Sequence, residues 1–214
     1  MARSKSSHQW LQEHVNDPYV KQAQRDGYRS RASYKLIQLN EKDKLIRGGQ
    51  LVVDLGSAPG GWSQVAGRLV GERGRVVATD ILPMDAVPNV EFLQGDFTDE
   101  AVLHQVLGLL GDHKPDLILC DIAPNITGID SADQAASMYL VELALDFARQ
   151  ALKRHGDMVV KVFQGAGSDA FLKDLRSSFG KVLVRKPAAS RPRSREVYVV
   201  ARGFEPKDST AGGR

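Results

Sequence analysis

Short apolar runs rich in Val, Ile and Leu recur along the chain and alternate with stretches of helical spacing. This alternation is typical of a mostly parallel sheet with helices on both of its faces. The predicted strands are residues 51–55, 75–80, 90–93, 116–121 and 157–163. The predicted helices are residues 62–70, 131–154 and 170–179.

The end of the chain carries a different pattern. Two further strands, residues 181–185 and 196–201, are joined by a Pro-, Ser- and Arg-rich connection without helical spacing. Because this connection is too short to cross over between parallel strands, we expect the last strand to run antiparallel to the one before it. A seven-stranded, mostly parallel sheet that closes with an antiparallel strand is the Rossmann-like α/β architecture of class I methyltransferases.

Length and composition indicate one soluble domain. The chain has 214 residues, enough to bury a core without disulfides, and its single cysteine, Cys120, has no partner. The N-terminal residues lack the apolar stretch of a signal peptide, and no apolar run is long enough for a membrane helix. We therefore expect a cytoplasmic protein with a basic, partly helical extension over 1–30, a single domain over 31–204 and a disordered tail over 205–214.

The net charge of +3 conceals an uneven distribution. Residues 1–50 carry a net charge of +5 and residues 181–207 one of +6, whereas residues 51–180 carry −8. Basic flanks on an acidic centre indicate a polyanion-binding face. The alternative interpretation is ordinary solvated surface charge.

A glycine-rich turn over residues 56–61 follows the first strand and suggests a nucleotide site. The turn is not G-x-G-x-x-G, and it carries Pro59 and Trp62 where a pyrophosphate needs a bare helix start. S-adenosylmethionine has no phosphate, and its adenosine can use Asp80 for the ribose hydroxyls and Asp96 for the adenine amino group. Alternatively, a turn of this kind needs glycine, as at Gly56, for its conformation alone.

Five stretches of the chain closely resemble the FtsJ/RrmJ (RlmE) family of methyltransferases, over residues 10–201. They are DLGSAPGGWSQ (54–64), DIAPN (121–125), MYLVELA (138–144), VKVFQG (160–165) and SREVY (194–198). The family methylates the 2′-hydroxyl of a uridine in 23S ribosomal RNA of the large ribosomal subunit. The resemblance implies a catalytic tetrad of Lys35, Asp121, Lys161 and Glu196. It also implies that S-adenosylmethionine is the cofactor and that the residues binding it are Gly56, Pro59, Gly60, Trp62, Asp80, Asp96 and Asp121.

The residues themselves support part of this assignment. Lys161 interrupts an apolar strand and Glu196 opens another, and buried charges are costly unless they are paired or functional. A salt bridge without chemistry is the alternative. If the site is catalytic, Lys161 acts as general base or stabilises the developing alkoxide. A positive Lys35 favours the neutral form of Lys161, whereas Asp121 and Glu196 favour its ammonium form. The sequence therefore leaves the protonation state of Lys161 open.

Both basic flanks also supply a tetrad residue, so RNA and chemistry are expected on one face. The predicted RNA-binding residues are Lys21, Arg25, Arg29, Arg31, Arg191, Arg193 and Arg195, with Lys35 beside them. Tyr19, Tyr28 and Tyr34 either stack on bases or pack internally. The five histidines are scattered, so no metal site is expected, and we expect a monomer.

Two other functions are compatible with parts of the pattern. A dinucleotide-dependent oxidoreductase would need a different glycine loop. A non-catalytic RNA-binding ribosome-assembly factor would have no need of the four tetrad residues. Methylation of DNA or protein is possible on this fold, but an amino-group methyltransferase usually has an Asn/Asp-Pro-Pro-aromatic turn where this chain has DIAP (121–124).

Overall fold

The computed structural model describes residues 17–206, which form a seven-stranded sheet in the order β3-β2-β1-β4-β5-β7-β6. Strand β7 is antiparallel to both of its neighbours, and the other strand pairs are parallel. The predicted architecture is therefore confirmed. The strands are β1 (Leu51–Leu55), β2 (Arg75–Asp80), β3 (Val90–Gln94), β4 (Leu117–Cys120), β5 (Asp157–Phe163), β6 (Phe179–Arg185) and β7 (Glu196–Phe204).

Helices cover both faces of the sheet. They are α1 (Pro18–Asp26), α2 (Ala32–Asp43), α3 (Gly61–Val70), α4 (Glu100–Leu110), α5 (Asp130–Ala151) and α6 (Ser168–Arg176). Successive strand residues point to opposite faces, so Val53 packs with α4, α5 and α6, while its neighbour Val52 packs with α2 and α3. Both faces of the central strands are buried, which explains their continuous apolar sequences.

Most predicted elements are present with shifted ends, and two helices, α2 and α4, were missed. Helix α4 was not predicted, although Asp99 caps its start by accepting from the Ala101 amide at 2.9 Å. The predicted helix over 170–179 was wrong at both ends. It runs over Ser168–Arg176, because Phe179 already belongs to β6, where it pairs with Phe204 of β7.

Helix α5 is the longest described helix, with 22 residues. Its buried residues, including Met138, Val141 and Leu145, recur at helical spacing and pack on the sheet, while other positions face solvent. Within residues 17–206, no helix combines the length and apolarity needed to cross a membrane.

The N-terminal helix α1 is attached to the rest of the chain through Asp17. One oxygen of this buried carboxylate caps α1 by accepting from the Tyr19 amide at 2.9 Å. The other lies 2.8 Å from Nε of Arg31 and 3.8 Å from Nε of Arg191. Arg31 also donates to the Ala189 carbonyl at 2.8 Å. This Asp17 clamp therefore ties α1 and the start of α2 to the β6–β7 connection.

The aromatic residues near the N-terminus pack on one another. The rings of Tyr19 and Tyr28 each lie 5.5 Å from the ring of Tyr34. Tyr34 donates its hydroxyl to Asp26 at 2.5 Å, and burial raises its pKa. The extension boundary at residue 30 stays a prediction. Residues 1–16 and most of the predicted tail lie outside the described residues.

Replacing Asp17 should test the clamp. We expect Asp17→Ala to lower the free energy of unfolding by about 3 kcal/mol, because it removes a helix cap and leaves Arg31 unpaired in a largely buried place. Asp17→Asn keeps the capping oxygen, so its free energy of unfolding should fall by less. Urea denaturation of both variants measures the two losses. A pair of unchanged midpoints would contradict a stabilising clamp.

Candidate active site

The four predicted tetrad residues come together as two ion pairs. Lys35 Nζ lies 2.7 Å from Glu196 Oε1, and Lys161 Nζ lies 3.1 Å from Asp121 Oδ1. Their side chains are only 8 to 15% exposed. Two ammonium and two carboxylate groups from distant parts of the sequence thus share one largely buried place.

Strand register explains why these side chains meet. Lys161 on β5 is paired with Tyr198 on β7, and Phe163 is paired with Glu196. Residues two apart on a strand share a face, so Lys161, Tyr198 and Glu196 point the same way. Helix α2 packs on that face through Leu36 and delivers Lys35. Asp121 directly follows β4, the strand beside β5.

Tyr198 lies at the centre of this cluster and was missed in the sequence. Its hydroxyl donates to Asp121 Oδ1 at 2.8 Å. Its ring lies 5.5 Å from Lys35 Nζ and 5.6 Å from the ring of Trp62. Burial, with added repulsion from the Asp121 and Glu196 carboxylates, raises the pKa of Tyr198 well above its ordinary value, so it stays a neutral donor. A tyrosine within an apolar strand looks like a core residue, so the sequence offered no signal.

The Lys161 amino group has a defined orientation. It donates to the Asp121 backbone oxygen at 2.8 Å and lies 3.1 Å from Oδ1 of the same residue. A tetrahedral nitrogen with two such partners has one further position for a substrate. In the neutral amine that position is a lone pair that accepts a proton, and in the ammonium ion it is a third N–H donor.

A cavity of about 510 Å³ opens beside the tetrad at the carboxyl edge of the sheet. Four predicted cofactor residues line it, namely Gly56, Asp80, Asp96 and Asp121. Apolar side chains of Ile81, Leu82, Phe97 and Ile122 also line it. A volume of this size, with apolar walls and few polar groups, suits a nucleoside-sized ligand.

The carboxylates of the cavity are held by backbone groups. Asp80 accepts from the Ala58 amide at 2.8 Å and from the Leu82 amide at 2.9 Å. Asp96 accepts from the Thr98 amide and hydroxyl at 2.9 and 2.7 Å. Since each carboxylate has about four acceptor positions, both can still accept from a ligand.

Glycine at position 56 lets the turn lie close to the segment that follows Asp121. Gly56 has a φ of 75°, and a Cβ there would lie 2.1 Å from Cγ1 of Ile122. Any side chain at position 56 would therefore displace the segment that follows Asp121.

Pro59 and Gly60, in the second half of the turn, and Trp62, just after it, are absent from the residues that line the cavity. Trp62 is 3% exposed and donates its indole N–H to the Ala32 carbonyl at 2.9 Å. Arg29 donates to the Pro59 carbonyl at 3.3 Å, and a Cβ at Gly60 would lie 2.8 Å from the same guanidinium. These residues support the turn, and direct cofactor contact stays a prediction for them.

The predicted RNA-binding residues divide into two groups. Arg29 donates to the carbonyls of Asp85 and Ala86, both at 2.7 Å, and so joins the α1–α2 connection to the β2–β3 connection. Arg31 and Arg191 belong to the Asp17 clamp. The side chains that are exposed instead are those of Lys21, Arg25, Arg193 and Arg195.

The described residues contain no group of three or more His, Cys, Asp or Glu side chains arranged to hold a metal ion. Cys120 is buried, and burial raises the pKa of its thiol to about 12.

Asp54, on β1 beneath the glycine turn, is a buried carboxyl group that the sequence analysis gave no role. It accepts from the Ser63 hydroxyl at 2.6 Å, and its other oxygen has no hydrogen-bond partner. Burial raises its pKa to about 7, and the nearby Asp121 and Asp80 add to the rise. Ionising Asp54 therefore opposes folding.

Stability should depend on pH through Asp54. Its pKa in the folded state is about 7, above the ordinary value of 3.8. Below pH 3.8 the group therefore costs no stability. As the pH rises from 3.8 to 7, the free energy of unfolding falls, and above pH 7 this loss is constant. Across that window, we expect the free energy of unfolding of Asp54→Asn to rise by on the order of 4 kcal/mol relative to that of the parent. Urea denaturation from pH 4 upward measures this. Parallel curves for the two proteins would contradict it.

Named proteins from other bacteria are similar to nearly the whole of this chain. A Stutzerimonas stutzeri protein named Ribosomal RNA large subunit methyltransferase E is 72% identical to this chain. The match covers 96% of this chain and 100% of the relative. A protein of the same name from Pseudomonas aeruginosa PAO1 is 58% identical, over 95% of this chain and 99% of the relative.

Solved structures share the fold. A Plasmodium falciparum protein named as a ribosomal RNA methyltransferase is 31% identical with a TM-score of 0.75, over 83% of this chain and 98% of that one. A Clostridium thermocellum protein at 17% identity and a TM-score of 0.52 shares the fold alone. The FtsJ-like methyltransferase model matches residues 28–204, and the chain belongs to that family.

Proposed function

We propose that this methyltransferase transfers a methyl group from S-adenosylmethionine to a ribose 2′-hydroxyl, on a uridine of 23S ribosomal RNA in the large subunit. The observation that carries the proposal is the meeting of Lys35, Asp121, Lys161 and Glu196 at the mouth of a nucleoside-sized cavity. A ribose hydroxyl is a weak acid, so its methylation needs a group that handles the proton.

The cavity fits the proposed cofactor. Asp80, which ends β2, and Asp96 both line it. In the proposal, Asp80 accepts from the ribose hydroxyls and Asp96 from the adenine amino group. The apolar side chains around them provide a surface for the adenine ring. When bound, S-adenosylmethionine supplies a methyl group already activated by the sulfonium.

The protein's own residues would position the acceptor and manage its proton. Lys161 has its free tetrahedral position for the 2′-oxygen, where it takes the proton or stabilises the developing negative charge. Asp121 fixes the orientation of Lys161 through two contacts. Lys35, paired with Glu196, adds a second cation beside the ribose.

Ribosomal RNA as the substrate is supported by the names of the close relatives and by the basic flanks of the chain. The choice of uridine rests on the family resemblance. Lys21, Arg25, Arg193 and Arg195 are the exposed cations that we propose for phosphate contact.

Replacing Lys161 tests the reaction. We expect Lys161→Ala to lower methyl transfer by about 100- to 10,000-fold while S-adenosylmethionine still binds. Lys161→Arg keeps the charge but not a titratable base, so full activity of that variant would exclude the base role. The measurement is transfer of radiolabelled methyl to large ribosomal subunits from cells lacking this protein.

Lys153→Ala is a matched control, because Lys153 also pairs with an aspartate, at 2.9 Å, but on the opposite edge of the sheet. It should keep parental activity. If Lys161→Ala also did, Lys161 would have no part in the reaction. A parental protein that transferred no methyl would instead act as an RNA-binding assembly factor.

Tyr198→Phe tests the hydrogen bond that holds Asp121. Its loss should lower the transfer rate roughly 10-fold, because Asp121 would then be oriented by Lys161 alone. Tyr34→Phe, which loses a tyrosine–aspartate bond outside the cluster, is the control. Equal losses in the two variants would show that Tyr198 acts only through stability.

A further inference from the structure

A second recess lies beside the cofactor cavity, between α5 and the segment 164–167 that follows β5. It has a volume of about 370 Å³, and its lining is mostly apolar. From α5 it is lined chiefly by Ser131, Ala135, Met138, Tyr139 and Glu142, and from the facing segment by Ala166 and Gly167.

The α5 side of the recess is one helix face. Ser131, Ala135, Tyr139 and Glu142 are three or four residues apart, which places them on one line along the helix. All four are exposed, and the Tyr139 side chain is 55% accessible. Two of them lie in the stretch 138–144 that resembles the family, yet none of them belongs to the tetrad or to the proposed cofactor residues. The face therefore has no assigned role.

The opposite wall is held in place by a buried side chain. Gln134 is 7% exposed and donates its amide to the carbonyls of Phe163 and Ala166, at 3.1 and 3.0 Å. Glycine lets the chain approach this closely, since a Cβ at Gly165 would lie 2.9 Å from the Gln134 side chain. Gly167, with a φ of 87°, would place a Cβ 3.2 Å from Met138. The recess is thus a built feature and not a gap between mobile loops.

The recess borders the cofactor cavity. Tyr139 lines both the cofactor cavity and the recess. Phe163, which anchors Gln134, is two residues from Lys161 on the same strand, a distance of about 7 Å. A ligand in the recess would therefore contact Tyr139, which also borders the cofactor cavity.

A basic residue borders the recess. The Gln164 amide donates to the Arg195 carbonyl at 3.0 Å, which places Arg195 beside the facing segment. The Arg195 guanidinium lies 3.8 Å from the Asp130 carboxylate at the start of α5. Glu142 makes the interior itself unfavourable for a phosphate. The charge pattern thus suits a neutral ring inside and a phosphate at the Arg195 rim.

We propose that this recess binds a nucleobase of the substrate RNA that neighbours the methylated ribose, an inference that rests on the proposed function. Tyr139 and the apolar wall provide the surface on which a splayed base stacks. Glu142 accepts a hydrogen bond from the base edge, and Arg195 contacts the adjoining phosphate. The recess thus selects the sequence context of the methylated nucleotide.

Filling the recess tests the proposal. Ala135→Phe places a ring in it from an exposed helical position and leaves the tetrad untouched. We expect KM for unmethylated large ribosomal subunits to rise roughly 10-fold, because the base can no longer stack, while S-adenosylmethionine affinity and the thermal midpoint stay at parental values.

Gln150→Phe is the matched control, since it adds the same ring to the exposed side of the same helix about 22 Å away. It should behave like the parent. An unchanged KM for Ala135→Phe beside an active parent overturns the recess proposal and leaves the proposed function standing. A parent that transfers no methyl at all overturns the proposed function instead.

A photocrosslinker at position 135 identifies the occupant directly and does not depend on the filled variant folding. With p-benzoylphenylalanine there, irradiation on the unmethylated subunit should attach the chain to a nucleotide adjacent to the methylation site. Attachment only to a ribosomal protein, or to distant RNA, would overturn the proposal.

Discussion

The burial of four charges in two ion pairs is the constraint on which the site depends. Removing an isolated ammonium or carboxylate from water costs several kcal/mol, so each needs a partner at hydrogen-bond distance. Lys35 with Glu196 and Lys161 with Asp121 meet this requirement without a ligand. Because the pairs are preformed, the ribose of the proposed substrate would meet a site that needs little reorganisation, and the tetrahedral position left on Lys161 already has a direction.

This arrangement exists because β7 runs against its neighbours. A parallel strand at that place would need a long crossover and would bring a different residue beside Lys161. The antiparallel register sets Tyr198 opposite Lys161 and Glu196 two residues away on the same face. Tyr198 then contacts Asp121 through its hydroxyl, and its ring lies against Trp62 behind the glycine turn. The strand thus connects the tetrad to the support of the cofactor turn.

Sequence patterns predicted the parts of this molecule that follow from local chemistry. Strand and helix periodicity gave the sheet, and the charged residues inside apolar strands, Lys161 and Glu196, marked the site. Pairings between distant residues have no such signal, so the roles of Tyr198 and Asp17 appeared only in the structure. The same limit applies to the arginines: side chains such as Arg29 and Arg31 make intramolecular contacts that composition cannot distinguish from RNA contacts.

The internal use of these arginines changes how the basic flanks should act. Arg31 and Arg191 converge on one carboxylate and join the segment that carries Lys35 to the connection that leads into Glu196. Part of the positive charge therefore brings together the two segments that form the ion pair between Lys35 and Glu196. Under the proposed function, exposed cations such as Lys21 and Arg195 contact the phosphates, and such contacts fix position but carry no sequence information. Under the proposed function, selection among RNA sequences falls to contacts with bases, and the recess between α5 and residues 164–167 is the place proposed for one of them.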